Sequence, residues 1–293
     1  MLKKLEIKPA IKKKLLTIAN SDILSISSLS SAFGCTCEKI ILKNKKKFVI
    51  KYQNLTNKLS YPCIYYEGKS LKFMHKKFGN VFPKIFYLQK EFFIMNWIEH
   101  NNITNQLSES KLAYNLYKIH SIKNSKFGYE FNTPIGGLEQ PCSYNNSWIN
   151  FYRTNRLQMI LDTINKNKPM PNQITKQIQK IIDNLEKYIP DSKTSTLIHG
   201  DLWSGNILYN NGDLVGLIDP GIYFGNNELD LASLYLLNVV SKDFINKYKD
   251  YIEVEKGVDE RIGIYKLYYA LLNVHLWSRE YIHHIKKIIK KYE

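Results

Sequence analysis

Apolar positions recur at two different spacings along this chain, and the change from one to the other divides it. Residues 9–19 place apolar side chains at helical spacing behind Pro9, which sits in the first turn where its missing N–H is harmless. Short strand-like runs at 23–29, 38–42 and 48–52 follow, the last two joined by a lysine-rich turn. Residues 61–78 predict a helix, with Pro62 near its start and Gly79 just past its end. Two more strands are expected at 84–88 and 91–97. After Glu99 the texture changes: 100–106 is polar, and helical spacing then dominates at 107–120, 174–188, 229–240 and 262–289. One β interruption remains, in which 206–209 and 214–218 flank Asn210, Asn211 and Gly212, a hairpin signal. A strand-rich first third and a helical remainder predict an α+β fold of two lobes, residues 1–98 and 99–293, with a hinge near 96–101.

Composition narrows the class. The 293 residues are 44% hydrophobic and 23% charged, which suits a folded globular chain. The longest apolar run, 229–240, falls short of the roughly 20 residues that span a bilayer and is broken by Asp230, Ser233 and Asn238. The basic N-terminus leads into no apolar signal-peptide core, so a cytoplasmic protein without a membrane partner is expected. Cys35, Cys37, Cys63 and Cys142 lack the paired spacing of a zinc site and read as free thiols. The net charge of +16 comes from lysines scattered along the chain. That pattern predicts a solvated surface that attracts small anions, and no nucleic-acid partner.

Candidate chemistry is concentrated in residues 197–219. The string HGDLWSGN at 199–206 holds His199, Asp201 and Asn206, and the hairpin then delivers Asp219 at a strand end. Phosphoryl transfer from ATP needs a carboxylate to orient the acceptor hydroxyl and take its proton, a role for Asp201. It also needs oxygen donors to hold Mg²⁺ against the phosphates, and Asn206 and Asp219 are of that type. Spacing alone leaves a blander account open, in which His199 is structural, Asp201 a turn residue and Asn206 a strand-edge amide.

HGDLWSGN also resembles the catalytic loop of the fructosamine kinase (ketosamine 3-kinase) family, in the aminoglycoside-phosphotransferase-like branch of the protein kinase-like fold. Segments 127–137, 151–157, 218–220, 223–225 and 228–232, with Trp148, resemble the family as well. The resemblance implies a bilobal kinase that uses ATP and Mg²⁺ to phosphorylate a sugar hydroxyl of a ketosamine, fructosamine or ribulosamine, free or protein-bound. It assigns Lys51 to the α- and β-phosphates, Glu67 to its ion-pair partner, and 30–38 to a phosphate-covering loop with the single glycine Gly34. Gly34 and Cys35 match a Gly-Cys found in that loop in the family, which implies redox sensitivity; an inert loop thiol is the simpler expectation. Glu228 and Asp230 are implied to brace the catalytic loop.

The likeness weakens near the C-terminus. Ser278, Arg279 and Glu280 stand where the family has a Gly-rich turn, and Asn273 and His275 also depart from it. The resemblance implies that this region helps build the acceptor pocket, so the acceptor is the open question. Trp148, Trp203 and Trp277 are candidate aromatic faces for it. An aminoglycoside, choline or another sugar are competing acceptors, a silent kinase-like binding protein is the alternative from another class, and monomer and dimer both remain open.

Overall fold

In the computed structural model, which describes residues 9–53 and 61–292, the strand-rich first third forms one antiparallel sheet. The basic opening residues 1–8 lie outside the described residues. Helix α1 (Pro9–Ala19) leads into strands β1 (Ile23–Ala32), β2 (Cys35–Leu42) and β3 (Lys47–Gln53). Helix α2 (Cys63–Phe78) and strands β4 (Ile85–Leu88) and β5 (Phe92–Asn96) complete the unit, with the strand order β1-β2-β3-β5-β4.

Period-two alternation gives this sheet two different faces. Phe48 and Ile50 of β3 join Ile40, Ile94 and the α1 residues Ile11 and Leu15 in one cluster. Val49 belongs to the opposite face, where Ile64, Leu71 and Met74 of α2 cover it. Lys51, two residues beyond Val49, therefore points toward α2, flanked across the ladder by Cys37 and Phe93. A charged residue placed on a helix-covered face needs a partner there.

The remainder is mainly helical, beginning with α3 (Ser108–His120). Its central element is the helix Val258–Leu276, which is buried along most of its length. The single helix expected over 262–289 is two. The chain breaks after Trp277, and Ser278 starts a short turn in which its Oγ accepts the Glu280 N–H at 3.2 Å, before the helix Ile282–Tyr292. The run at 229–240 also ends early, as the helix Glu228–Leu236. Ser195–Ile198, Lys123–Asn124 and Tyr223–Gly225 form a small three-stranded sheet, too short to show alternation in the sequence.

The expected hairpin is present as Ile207–Asn210 paired with Asp213–Leu217. Asn211 (φ +51°) and Gly212 (φ +86°) give it the left-handed turn that matches strand twist. Its tip is fastened to the segment joining the two halves of the chain, since Asn101 and Asn102 both donate backbone N–H groups to the Tyr209 carbonyl, at 3.0 and 2.8 Å. Among the described residues no helix is long and apolar enough to cross a membrane.

Candidate active site

Glu67 occupies a core position of α2, in register with Ile64, Leu71 and Met74, and its side chain is largely buried. Lys51 Nζ donates to both Glu67 carboxylate oxygens at 2.8 Å and to Asp219 Oδ2 at 2.8 Å. Burial opposes the charge on Lys51, but the Asp219 and Glu67 carboxylates outweigh it and hold its pKa well above the ordinary lysine value. Asp219 reaches this lysine from the far end of the hairpin, with a left-handed backbone (φ +54°) that is strained for a residue other than glycine.

The loop 199–206 is held from beneath by Asp230. This fully buried carboxylate accepts the backbone N–H groups of His199 (2.8 Å) and Gly200 (2.9 Å), and meets His120 Nε2 at 3.1 Å. Burial works against its charge, but these hydrogen bonds hold its carboxyl below the ordinary aspartate range. A depressed carboxyl pKa stabilises the fold above the unfolded value and loses that contribution as pH falls through the folded one. Asp230→Asn should therefore destabilise the protein by about 2–4 kcal/mol at neutral pH. The gap to wild type should narrow below about pH 4, as followed by denaturant unfolding at several pH values. Glu228, by contrast, does not brace this loop. It forms a buried pair with Arg261, at 2.6–3.1 Å.

Gly200 must be glycine. Its φ is +84°, and a Cβ there would lie 2.3 Å from the Gly221 carbonyl oxygen. Gly200→Ala is expected to cost more than about 2 kcal/mol, seen as a fall in thermal midpoint, because neither backbone can retreat.

Asp201 then emerges beside Asn206. Asn206 Nδ2 donates to the Asp201 carbonyl at 2.9 Å and to its Oδ2 at 3.1 Å. The first hairpin strand starts one residue later, and the Ile218 N–H to Asn206 carbonyl bond (3.0 Å) sets Asp219 next to this amide. Burial and the neighbouring Asp219 charge push the Asp201 carboxyl up to about 7, against the Asn206 hydrogen bond and Lys51. Burial also keeps His199 neutral, with its pKa near 4, and its Nδ1 accepts the Asp201 N–H at 3.3 Å.

Five of these side chains, Lys51, Glu67, Asp201, Asn206 and Asp219, line one cavity of about 550 Å³, which they share with Phe33, Cys35, Trp203, Asn273 and Trp277. Residues 30–38, read from the sequence as a phosphate-covering loop, form a tight hairpin. Strands β1 and β2 run to Ala32 and Cys35, and Phe33 and Gly34 (φ +53° and +75°) form a two-residue turn. Gly34 makes that turn possible while its neighbours Phe33 and Cys35 face the cavity. The four cysteines are free thiols, with Cys35 Sγ 3.3 Å from Cys63 Sγ. Trp148 is excluded from the acceptor wall: it is fully buried and donates Nε1–H to the Tyr265 hydroxyl at 2.8 Å. Trp203 and Trp277 do line the cavity. Phe33 was not foreseen, because a phenylalanine in a serine-rich stretch signals nothing until the turn aims it.

Comparison with known proteins bears on the same residues. A family profile described as fructosamine kinase matches residues 10–293. The chain belongs to the fructosamine kinase family. Among its relatives, a probable ketoamine kinase of Enterococcus faecium is 26% identical over 202 residues, covering 69% of this chain and 72% of that protein. A chloroplastic protein-ribulosamine 3-kinase of Arabidopsis thaliana is 28% identical over 204 residues, covering 69% and 61%. In fold, a Thermobifida fusca protein assigned as a fructosamine-3-kinase superposes with a TM-score of 0.82 at 19% identity, over 96% of this chain and 97% of that one. An ADP-bound aminoglycoside phosphotransferase gives 0.65 at 16% identity, over 97% of each chain. The architecture is thus the α+β, protein kinase-like one. Membership of the family makes the chain a kinase that transfers phosphate to a hydroxyl group, with ATP as the donor.

Proposed function

We propose that this chain is an Mg²⁺-dependent ketosamine kinase, which moves the γ-phosphoryl group of ATP onto a sugar hydroxyl of a fructosamine or ribulosamine, free or protein-bound. The observation that carries this reading is the single cavity in which Lys51, bonded to both Glu67 and Asp219, stands with the Asp201–Asn206 pair and an aromatic wall. The names of its relatives, ketoamine kinase and protein-ribulosamine 3-kinase, supply the acceptor class.

Each residue then has a task. Lys51, fixed by two carboxylates, presents a positioned cation to the α- and β-phosphates, as Glu67 keeps it from swinging away. Asp201 orients the acceptor hydroxyl. As the new P–O bond forms and the bond to the β-phosphate breaks, ADP leaves and the hydroxyl proton passes to the Asp201 carboxylate. The Asn206 amide N–H, spent on Asp201, holds that carboxylate and leaves Oδ1 as its remaining donor to a metal. With the Asp219 carboxylate this makes a hard oxygen set suited to Mg²⁺, which when bound supplies charge neutralisation between the phosphates. In this division of labour, residues 1–98 hold the nucleotide and 99–293 supply the catalytic loop and the acceptor wall. Gly34 contributes by closing the hairpin over the phosphates.

An acceptor panel tests the proposal. With ATP and Mg²⁺, fructosamine or ribulosamine derivatives should gain one phosphate by mass spectrometry, while choline and aminoglycosides stay unmodified. Turnover of choline or an aminoglycoside with no ketosamine modified would overturn it.

A further inference from the structure

The cavity is not uniform from end to end. Its charged side chains, Lys51, Glu67, Asp201 and Asp219, stand together, and the opposite end is aromatic. Tyr269, Asn273 and Trp277 recur every fourth residue at the end of the helix Val258–Leu276, so they form a row on one side, about 12 Å long. At the inner end of this row the Tyr269 hydroxyl donates to the Gly200 carbonyl at 3.3 Å, beside Asp201. At the outer end Trp277 is 62% exposed, a large apolar surface left open at the rim.

Two further rings meet Trp277 there. Phe33, at the tip of the β1–β2 hairpin, contacts it edge-on with ring centres 5.4 Å apart and planes at 85°. The tip is also packed closely against Gly137, where a Cβ would lie 2.8 Å from the Phe33 Cβ. Trp203, two residues after Asp201, lies 6.5 Å from Trp277. Its ring is folded over Gly205, where a Cβ would come within 2.3 Å of it. Three rings from three separate segments thus converge on one corner, each held in place by a glycine or by its neighbour.

We propose that Trp277, with Phe33 and Trp203, forms a subsite for the substituent on the ketosamine nitrogen, and that it selects ketosamines built on alkyl or aryl amines, including a lysine side chain in a peptide. This rests on the ketosamine reading above. With the sugar hydroxyl at Asp201, the amine side of the substrate points along the row toward the rim. A protonated secondary amine is attracted to the faces of tryptophan rings, and an attached apolar chain buries itself against them. The helix ends at Leu276 and Ser278 opens the short turn Arg279–Tyr281, which leaves Trp277 at this corner.

Steady-state kinetics of the full chain at saturating ATP and Mg²⁺ tests this with two fructosamines, one made on benzylamine and one on methylamine. Trp277→Ala should raise KM for the benzylamine adduct about tenfold with kcat within about twofold, while KM for the methylamine adduct rises less than about threefold. Trp277→Phe should restore most of the loss, and KM for ATP should not move. Equal loss of kcat on both acceptors would show a merely structural tryptophan, and an unchanged KM for the benzylamine adduct would remove the subsite; either overturns this inference alone. If the wild-type chain phosphorylates neither the fructosamines nor the ribulosamines made on the same two amines, the underlying ketosamine reading is lost with it.

Discussion

Replacing Asp201 with asparagine should lower kcat by about 10³-fold and leave the dissociation constant for ATP within about threefold. The substitution is close to isosteric, and the new side-chain oxygen can still accept from Asn206 Nδ2, which now meets Asp201 Oδ2 at 3.1 Å. What disappears is the group that takes the hydroxyl proton. Because burial and Asp219 raise the Asp201 carboxyl to about 7, it is better matched to accept a proton late in the transfer than an ordinary aspartate. Turnover of a ketosamine and calorimetric titration with ATP separate the two effects. Wild-type turnover in this variant would remove Asp201 from the reacting centre.

The second large effect is expected at Lys51. Lys51→Ala should reduce kcat/KM for ATP by about 10²–10³-fold, since a positioned cation on the phosphates is lost. It should also alter stability in a way that depends on pH. Glu67 is buried, which pushes its carboxyl up to about 8 even with Lys51 pulling it down. Without the lysine that downward pull is gone and the raised pKa rises further. A carboxyl with a folded pKa above its unfolded value binds more protons in the folded state, so stability is present at low pH and is lost as pH rises through the folded value. The variant should therefore track wild type from pH 5 to about pH 8, where Glu67 is largely protonated in both, and fall about 1 kcal/mol below it by pH 9, because each pH unit between the two folded values costs about 1.4 kcal/mol. Adding Glu67→Gln should abolish that pH dependence without restoring activity. Denaturant unfolding at pH 5 and pH 9 checks it, and a flat profile in the single variant would mean that Glu67 is not the buried charge that Lys51 neutralises.

These residues were legible in the sequence to different degrees, for physical reasons. Asp201, Asn206 and Asp219 could be grouped because an Asn-Gly hairpin brings two neighbouring segments together, and the structure does bring them together. The Glu67–Lys51 pair rested on resemblance, although a sharper signal was present: Glu67 interrupts the apolar stripe of Ile64, Leu71 and Met74, and a carboxylate in that position needs a buried cation. The two-residue turn at Phe33 and Gly34 was missed because the flanking serines and threonine read as loop rather than strand. The break after Trp277 was missed because apolar spacing continues through it, while the stop is set by the Ser278 side chain. Trp148 and Trp277 show the limit of composition. They are the same residue type, yet one is a core ring bonded to Tyr265 and the other an exposed ring at the cavity rim. Tertiary packing alone separates them.

The most direct test of the whole account is a crystal structure with a non-hydrolysable ATP analogue and Mn²⁺, the ion being located by its anomalous scattering. The account predicts an ion bonded at about 2.1–2.2 Å to both Asn206 Oδ1 and an Asp219 oxygen, with Lys51 on the phosphates. An ion bound by other side chains, with Asn206 and Asp219 turned away from the nucleotide, would contradict it.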